Sequence, residues 1–283
     1  MSSIDLHSHS TISDGLFTPA ELVGRAAAQG VKVFALTDHD DVAGLGEARA
    51  AALEAGIALI NGTEISVTWR NRTVLIVGLK IDPAHPELQQ GLQAIRIGRT
   101  KRAEGIAAEL EKVGIEGSLA GAYSYAANPE LVSRSHFARF LVEKGYAKDV
   151  KTVFKKYLVK GKPGYVPHAW AELADVVGWV RASGGIAVLA HPGRYDLGRT
   201  TMQALLAGFK EVGGEAIEIV TGSHTPDQYA LFVEYAKQFD LLASCGSDYH
   251  GPGESYLELG RLQPLPTGCK PVWRDWPEAA FAS

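Results

Sequence analysis

The sequence predicts an α/β barrel interrupted by a helical insert, and three observations carry that expectation. Short apolar runs alternate with helix-patterned stretches in the first 60 and last 110 or so residues, which is the rhythm of parallel βαβ units. The apolar runs end in histidine, aspartate or glutamate, as strands do when their C-terminal ends gather at one mouth. Between about Pro83 and Pro167 the strand signal fades and helical stretches punctuated by Gly, Pro, Ser and Asn take over.

The first run, Ile4-Asp5-Leu6-His7-Ser8-His9, reads as a buried strand. Side chains on a strand alternate faces, so His7 and His9 share a side and both imidazoles reach one cation, with Asp14 five residues on. Asp5 shares that face, either to orient an imidazole or to be satisfied by backbone. Thr18-Pro19-Ala20-Glu21 is a helix start with a cap, proline at the first helical position and glutamate at the third, and Gly30 closes the helix. Val31 to Leu36 is a second strand ending in Thr37-Asp38-His39-Asp40, and a helix follows from about Val42 to Ala55. Ile57 to Ile60 is a third strand leading to Glu64. Glu64 to Trp69 and Thr73 to Ile81 then form a β-hairpin around the polar turn Arg70-Asn71-Arg72.

Helices are expected at Leu88 to Val113, Ser133 to Lys144 and Asp149 to Leu158 within the insert. The βα rhythm resumes with a helix over Ala171 to Ala182 and a strand over Gly185 to Ala190 that ends in His191-Pro192-Gly193-Arg194. A helix over Thr201 to Val212 and a strand over Ala216 to Val220 lead into Gly222-Ser223-His224. A helix capped by Thr225 with Pro226 at its first position runs to about Phe239, and the strand Leu241 to Cys245 ends in Asp248-Tyr249-His250.

A chain of 283 residues, 46% hydrophobic, has ample material for one large core with an insert. No apolar run approaches the roughly 18 residues of a membrane span, and no basic, apolar leader precedes the first strand; a cytoplasmic protein is expected. Two cysteines, Cys245 and Cys269, make no disulfide framework. The net charge of −4 is uneven: Arg96 through Lys162 holds fourteen Lys/Arg against seven Asp/Glu, so this segment carries +7 and the remainder −11. That segment either holds a polyanion or is an ordinary solvated helical surface.

Placing His7, His9, His39, Glu64, His191, His224, Asp248 and His250 at one mouth without cations would cost several kcal/mol in unpaired, desolvated groups. Metal binding is the economical explanation. Imidazole and carboxylate ligands without cysteine suit Zn, Mn or Fe, and Glu64 is a natural bridging carboxylate. No Walker loop is present, and no cysteine stands at a helix N-terminus.

His7-Ser8-His9, Asp14, Thr37-Asp38-His39, Glu64, His191-Pro192 and Asp248-Tyr249-His250 together resemble the motifs of the PHP family, named for polymerase and histidinol phosphatase, among the amidohydrolase-like barrels. The resemblance implies a distorted (β/α)7 TIM-like barrel from residues 1–82 and 168–283, with residues 83–167 as an inserted substrate-binding subdomain. It implies two or three divalent metals, manganese first and zinc or iron as alternatives. His7, His9, Glu64 and Asp248 would hold one; Asp14, His39 and His250 another; Glu64 and His191 a third or bridging position. Many relatives carry a histidine where Leu75 stands, which bears on the third position.

The branch most resembled holds the nucleotide 3′,5′-bisphosphate phosphatase and a 5′-to-3′ exonuclease on short RNA. It implies removal of the 3′-phosphate of a nucleoside 3′,5′-bisphosphate such as pAp by a metal-activated water, with cleavage of short oligonucleotides as the rival. Histidinol phosphate hydrolysis or a non-catalytic metal-binding module are further alternatives. For substrate, Arg99, Lys101, Arg102, Arg134, Ser135 and His136 are candidates to hold a phosphate, against a solvated helix face. Arg194, three residues after His191, is a candidate phosphate clamp, and His224 a phosphate contact or acid, against a structural hydrogen bond. Neither a membrane nor a stable nucleic-acid partner is expected.

Overall fold

The computed structural model describes residues 2–282. Seven strands wrap into a barrel in the order β1 (Ile4–Asp5), β2 (Val33–Leu36), β3 (Ala58–Trp69), β4 (Arg72–Leu79), β6 (Ile186–Leu189), β7 (Ala216–Thr221) and β8 (Leu242–Gly246), while the short β5 (Ala171–Glu172) pairs alongside β3. The ring closes between first and last strands, where Leu6 N donates to Cys245 O at 3.1 Å and Asp248 N to His7 O at 2.9 Å. Outer helices α1 (Pro19–Ala28), α2 (Leu45–Ala55), α7 (Leu173–Ala182), α8 (Arg199–Glu211) and α9 (Pro226–Gln238) cover the strands. The capping box at Thr18 and Glu21 and the one at Thr225 and Gln228 are both formed, each followed by proline. No helix among the described residues is long and apolar enough to cross a membrane.

The sheet departs from uniform parallel pairing at one place. β4 runs antiparallel to both β3 and β6, because Arg70 and Asn71, with φ of 46° and 60°, turn the chain within two residues. Two successive positive φ values match the twist of a tight hairpin. The strand expected at Ile57 to Ile60 and the first arm of the hairpin are one continuous strand. Gly62 lets it pass close to its neighbour, since a Cβ there would lie 2.7 Å from Thr37 Cγ2. The helix expected from Val42 starts at Leu45, because the Asp41 carboxylate accepts from Val42 N and Ala43 N and holds a turn.

Between β4 and β5 lie α3 (Pro86–Glu111), α4 (Ser118–Tyr123), α5 (Arg134–Glu143) and α6 (Val150–Val153), the last continuing as one π-helical turn over Phe154–Leu158. α3 serves two cores: Leu88, Leu92 and Ile95 pack with the barrel's Val176, Val177 and Val180, whereas Ala103, Ile106 and Leu110 pack with Phe137, Leu141 and Val153 of the other helices.

Candidate metal centre

Each ligand-type residue reaches the barrel mouth for a local reason. His7 and His9 follow β1 and alternate with Ser8, whose Oγ donates to Ala35 O. His39 leaves β2 and pairs with Glu64 as an isolated bridge. His191 ends β6 and Asp248 follows β8, both at positive φ, 25° and 55°. Such backbone in a residue with a Cβ costs of order 1–3 kcal/mol and persists where surrounding contacts over-determine it.

The side chains converge. His7 Nε2 stands 3.1 Å from His9 Nε2 and 3.3 Å from Glu64 Oε1. His9 Nε2 lies 3.2 Å from Asp248 Oδ1, and His191 Nε2 2.9 Å from Glu64 Oε1. His250 Nε2 is 3.2 Å and His39 Nε2 3.6 Å from Asp14 Oδ1, while His39 Nδ1 is 2.9 Å from Glu64 Oε2. Among the described residues three overlapping groups bring ligand atoms within 4.8 Å of one another: His9, Asp14, His39 and His250; His7, His9 and Asp248; His7, Glu64 and His191. Asp14 Oδ1 and Glu64 Oε2 are buried without a hydrogen-bond partner. Orphaned carboxylate oxygens facing clustered imidazole nitrogens fit a divalent cation.

The electrostatics of the protein alone show the same tension. Burial pulls His7 down, yet Glu218, Glu64 and Asp248 outweigh it and raise it well above the ordinary histidine value. Burial and the neighbouring His250 and His39 push His9 down to about 3. Asp14, Glu64 and Asp248 are held well below the usual carboxylate range, against burial, by the histidines around them.

Further carboxylates hold these candidate ligands from behind. Glu218, in the middle of β7, accepts from His7 Nδ1 at 2.8 Å and from His191 N at 2.7 Å. Asp38 accepts from the N–H and Oγ of both Ser10 and Ser13, fixing the loop that carries Asp14. Asp5, one of whose expected roles was to orient an imidazole, accepts from Ser247 N at 2.8 Å and so braces backbone. Glu218 and the role of Asp38 escaped the sequence reading, although a glutamate inside the apolar run Ala216 to Val220 was itself a signal.

Above the ligands opens a pocket of about 880 Å³, lined on one wall by Arg99, Arg102, Arg134, Ser135 and Arg194 and reaching Arg70 and Arg72 at the hairpin tip. Arg99 is bound to Asp40 (Nε to Oδ2, 2.7 Å) and Ser66. Arg102 and Arg134 have no carboxylate partner among the described residues; their guanidiniums lie over Trp170 and Phe154. Burial, reinforced by Arg134 and Arg99, pushes Arg102 down to about 9. Arg194 Nη1 donates to Asp248 Oδ2 at 2.6 Å.

Three expected substrate contacts are not on this wall. Lys101 is exposed and points elsewhere on α3. His136 is buried, its Nδ1 accepting from Ser133 N as part of the α5 cap. His224, expected as a phosphate contact or acid, has both ring nitrogens engaged by backbone: Nδ1 donates to Ile219 O and Nε2 accepts from Gly193 N, both at 2.9 Å. That is the structural hydrogen bond, and it leaves no nitrogen for substrate. Leu75 lines the pocket, with Ala190 N donating to its carbonyl.

This barrel, with strand-end histidines and carboxylates around a polar pocket, is the architecture of a metal-dependent hydrolase. The PHP domain matches residues 5–242, and the chain belongs to that family. It is 52% identical over 275 residues to a 3′,5′-nucleoside bisphosphate phosphatase of Chromobacterium violaceum, covering 97% of this chain and 96% of that one. It is 44% identical over 272 residues to a 5′-3′ exoribonuclease of Haemophilus influenzae, covering 96% and 98%. A solved amidohydrolase from Chromobacterium violaceum with bound sulfate and no metal superposes with a TM-score of 0.95 at 51% identity, covering 99% of this chain and 97% of that one.

Proposed function

We propose that the protein is a cytoplasmic, manganese-dependent phosphatase that removes the 3′-phosphate of nucleoside 3′,5′-bisphosphates such as pAp. The observation that carries this reading is the pairing, in one pocket, of a buried cluster of candidate ligands with a wall of arginines of which two lack a carboxylate partner among the described residues. A substrate with two phosphates fits that pairing, one group at the floor and one at the wall, and the similarity to the Chromobacterium phosphatase supports it.

His7, His9, Asp14, His39, Glu64, His191, Asp248 and His250 would hold the cations. Bound divalent cations supply acidified water and neutralise charge on the phosphoryl group. The chain's own groups do the rest. Arg194, about half exposed beside Asp248, turns its guanidinium to the reacting phosphate. Arg102 and Arg134 grip the 5′-phosphate and so orient the ester for in-line attack. Ser135 lines the same wall and offers a hydroxyl to the anion.

A second reading is favoured by the pocket's run to Arg70, Arg72 and Lys160, which offers cations for the further phosphates of a short 5′-phosphorylated oligonucleotide. The bond broken would be the same. Phosphate release from pAp, set beside nucleotide release from a 5′-phosphorylated dinucleotide with Mn²⁺ present, decides between them: pAp is expected to be turned over faster. Equal rates on pAp and 3′-AMP would remove the case for a bisphosphate.

A further inference from the structure

We infer that Glu218 is a positioning residue for two of the three ligand groups, through one hydrogen bond to the His7 ring and one to the His191 main chain, while the third group is held independently of it. The inference rests on the proposed reading of the cluster as a metal centre.

Glu218 lies in the middle of β7, 1% exposed, and both oxygens are committed to this pair of contacts, at 2.8 Å to His7 Nδ1 and 2.7 Å to His191 N. A carboxylate accepts, so Glu218 holds a proton on His7 Nδ1 and leaves Nε2, which faces His9, Glu64 and Asp248, as the nitrogen that would bind a cation. Fixing the tautomer in this way also raises the basicity of the ligating nitrogen. The second contact pins His191 at a φ of 25°, a conformation its Cβ disfavours. The fold keeps the space clear: a Cβ on Gly246 would lie 2.1 Å from His7 Cβ and 3.0 Å from Glu218 Oε1.

His7 belongs to both the His7, His9, Asp248 group and the His7, Glu64, His191 group, so Glu218 governs two groups at once. The group of His9, Asp14, His39 and His250 is supported elsewhere. Asp38 fixes the Asp14 loop, Ser133 Oγ donates to Asp14 Oδ2 at 3.0 Å, and His250 Nδ1 donates to Asp248 O at 3.0 Å. No contact of Glu218 reaches Asp14, His39 or His250 among the described residues.

Glu218→Gln keeps the shape but offers one acceptor oxygen and an amide N–H, which cannot accept from both donors. The experiment titrates chelator-stripped protein with Mn²⁺ by calorimetry and by electron paramagnetic resonance, without substrate. In the variant, the equivalents that depend on His7 are expected to weaken by about 10- to 100-fold, while one equivalent binds as in the wild type. Ring-nitrogen NMR of protein loaded with diamagnetic Zn²⁺ is expected to show loss of the fixed Nδ1–H of His7. Should Glu218→Gln not fold, Glu218→Asp, which keeps the charge but falls a methylene short, is expected to give the same selective loss. Wild-type affinity at every equivalent in a folded variant would overturn the inference, and so would equal weakening of all of them, which would mark Glu218 as a general brace. A wild-type protein that took up no Mn²⁺ would overturn the metal centre itself and the inference with it.

Discussion

The floor of the pocket and its arginine wall are built in opposite ways. On the floor, His7, His9 and Glu64 are fully buried, each in contact with several other candidate ligands, and the His7 ring stands on the buried Glu218 carboxylate. On the wall, Arg102 and Arg134 are half-buried, lean on aromatic rings and have no carboxylate partner among the described residues. A floor of that kind fixes geometry before any substrate arrives, whereas the wall keeps charge in reserve for a ligand. Chemistry is thus expected to depend steeply on the first and selectivity on the second.

The strongest way to break that contrast is to remove a floor ligand. His9→Ala or Asp248→Ala is expected to lower turnover by orders of magnitude and to reduce bound Mn²⁺ while the far-ultraviolet circular dichroism stays that of the wild type. Near-wild-type turnover in a variant stripped of metal would end the assignment.

Arg134→Ala should instead act on discrimination. A charge-assisted hydrogen bond to phosphate is worth roughly 1.5–3 kcal/mol, about one to two factors of ten. The preference for pAp over 3′-AMP is expected to shrink by that amount while slow hydrolysis of a generic phosphomonoester persists. Lys101→Ala, on the same basic segment but off the wall, is the matched control, and steady-state kinetics on both substrates should not distinguish it from wild type.

The floor also predicts a pH signature in the metal-stripped protein. Burial alone would lower His250, but Asp14 and Asp248 more than offset it and hold it at about 9, against about 6.5 in an unfolded chain. A histidine raised on folding contributes stability that is fully present below the unfolded value and lost as pH rises through the folded one. The melting temperature of stripped protein should therefore decline between neutral pH and about 9. With Mn²⁺ bound that proton is already gone, so the gap in melting temperature between loaded and stripped protein should widen over the same range. A gap that stayed constant would show that His250 is not a ligand.

The two regions also differed in how far they could be read in advance. Histidines and acids at the ends of apolar runs are out of place unless they meet, so His7, His9, His39, His191 and His250 announced a shared mouth, and the fold brings them there. His224 carried the same signal and fails to deliver a ligand, because a strand-end histidine can equally tie down a neighbouring turn, as its bond to Gly193 N does. Basic residues on a helix carry no such mark. Whether Lys101 or Arg102 faces the pocket depends on how α3 is rotated, and that is decided by Leu88, Leu92, Ile106 and Leu110 packing into two separate cores. The reversal of β4 was legible in its polar Arg70-Asn71-Arg72 turn, but the merging of two expected strands into β3 was not, since it is the pairing of Gly62 and Thr63 with Leu79 and Gly78 of β4 that keeps them extended beyond the last β2 partner, Asn61.

The double anchoring of α3 has a mechanical consequence. A helix sealed at one end among barrel side chains and at the other among those of α5 and α6 is a strut, and it is pinned again midway where Arg99 grips Asp40. The arginines it carries cannot travel away from the barrel as a jaw would without breaking one apolar seal. The pocket is therefore a casting mould of fixed depth, filled and emptied through its open rim, and the distance it measures between two phosphates is set by the length of a rigid beam.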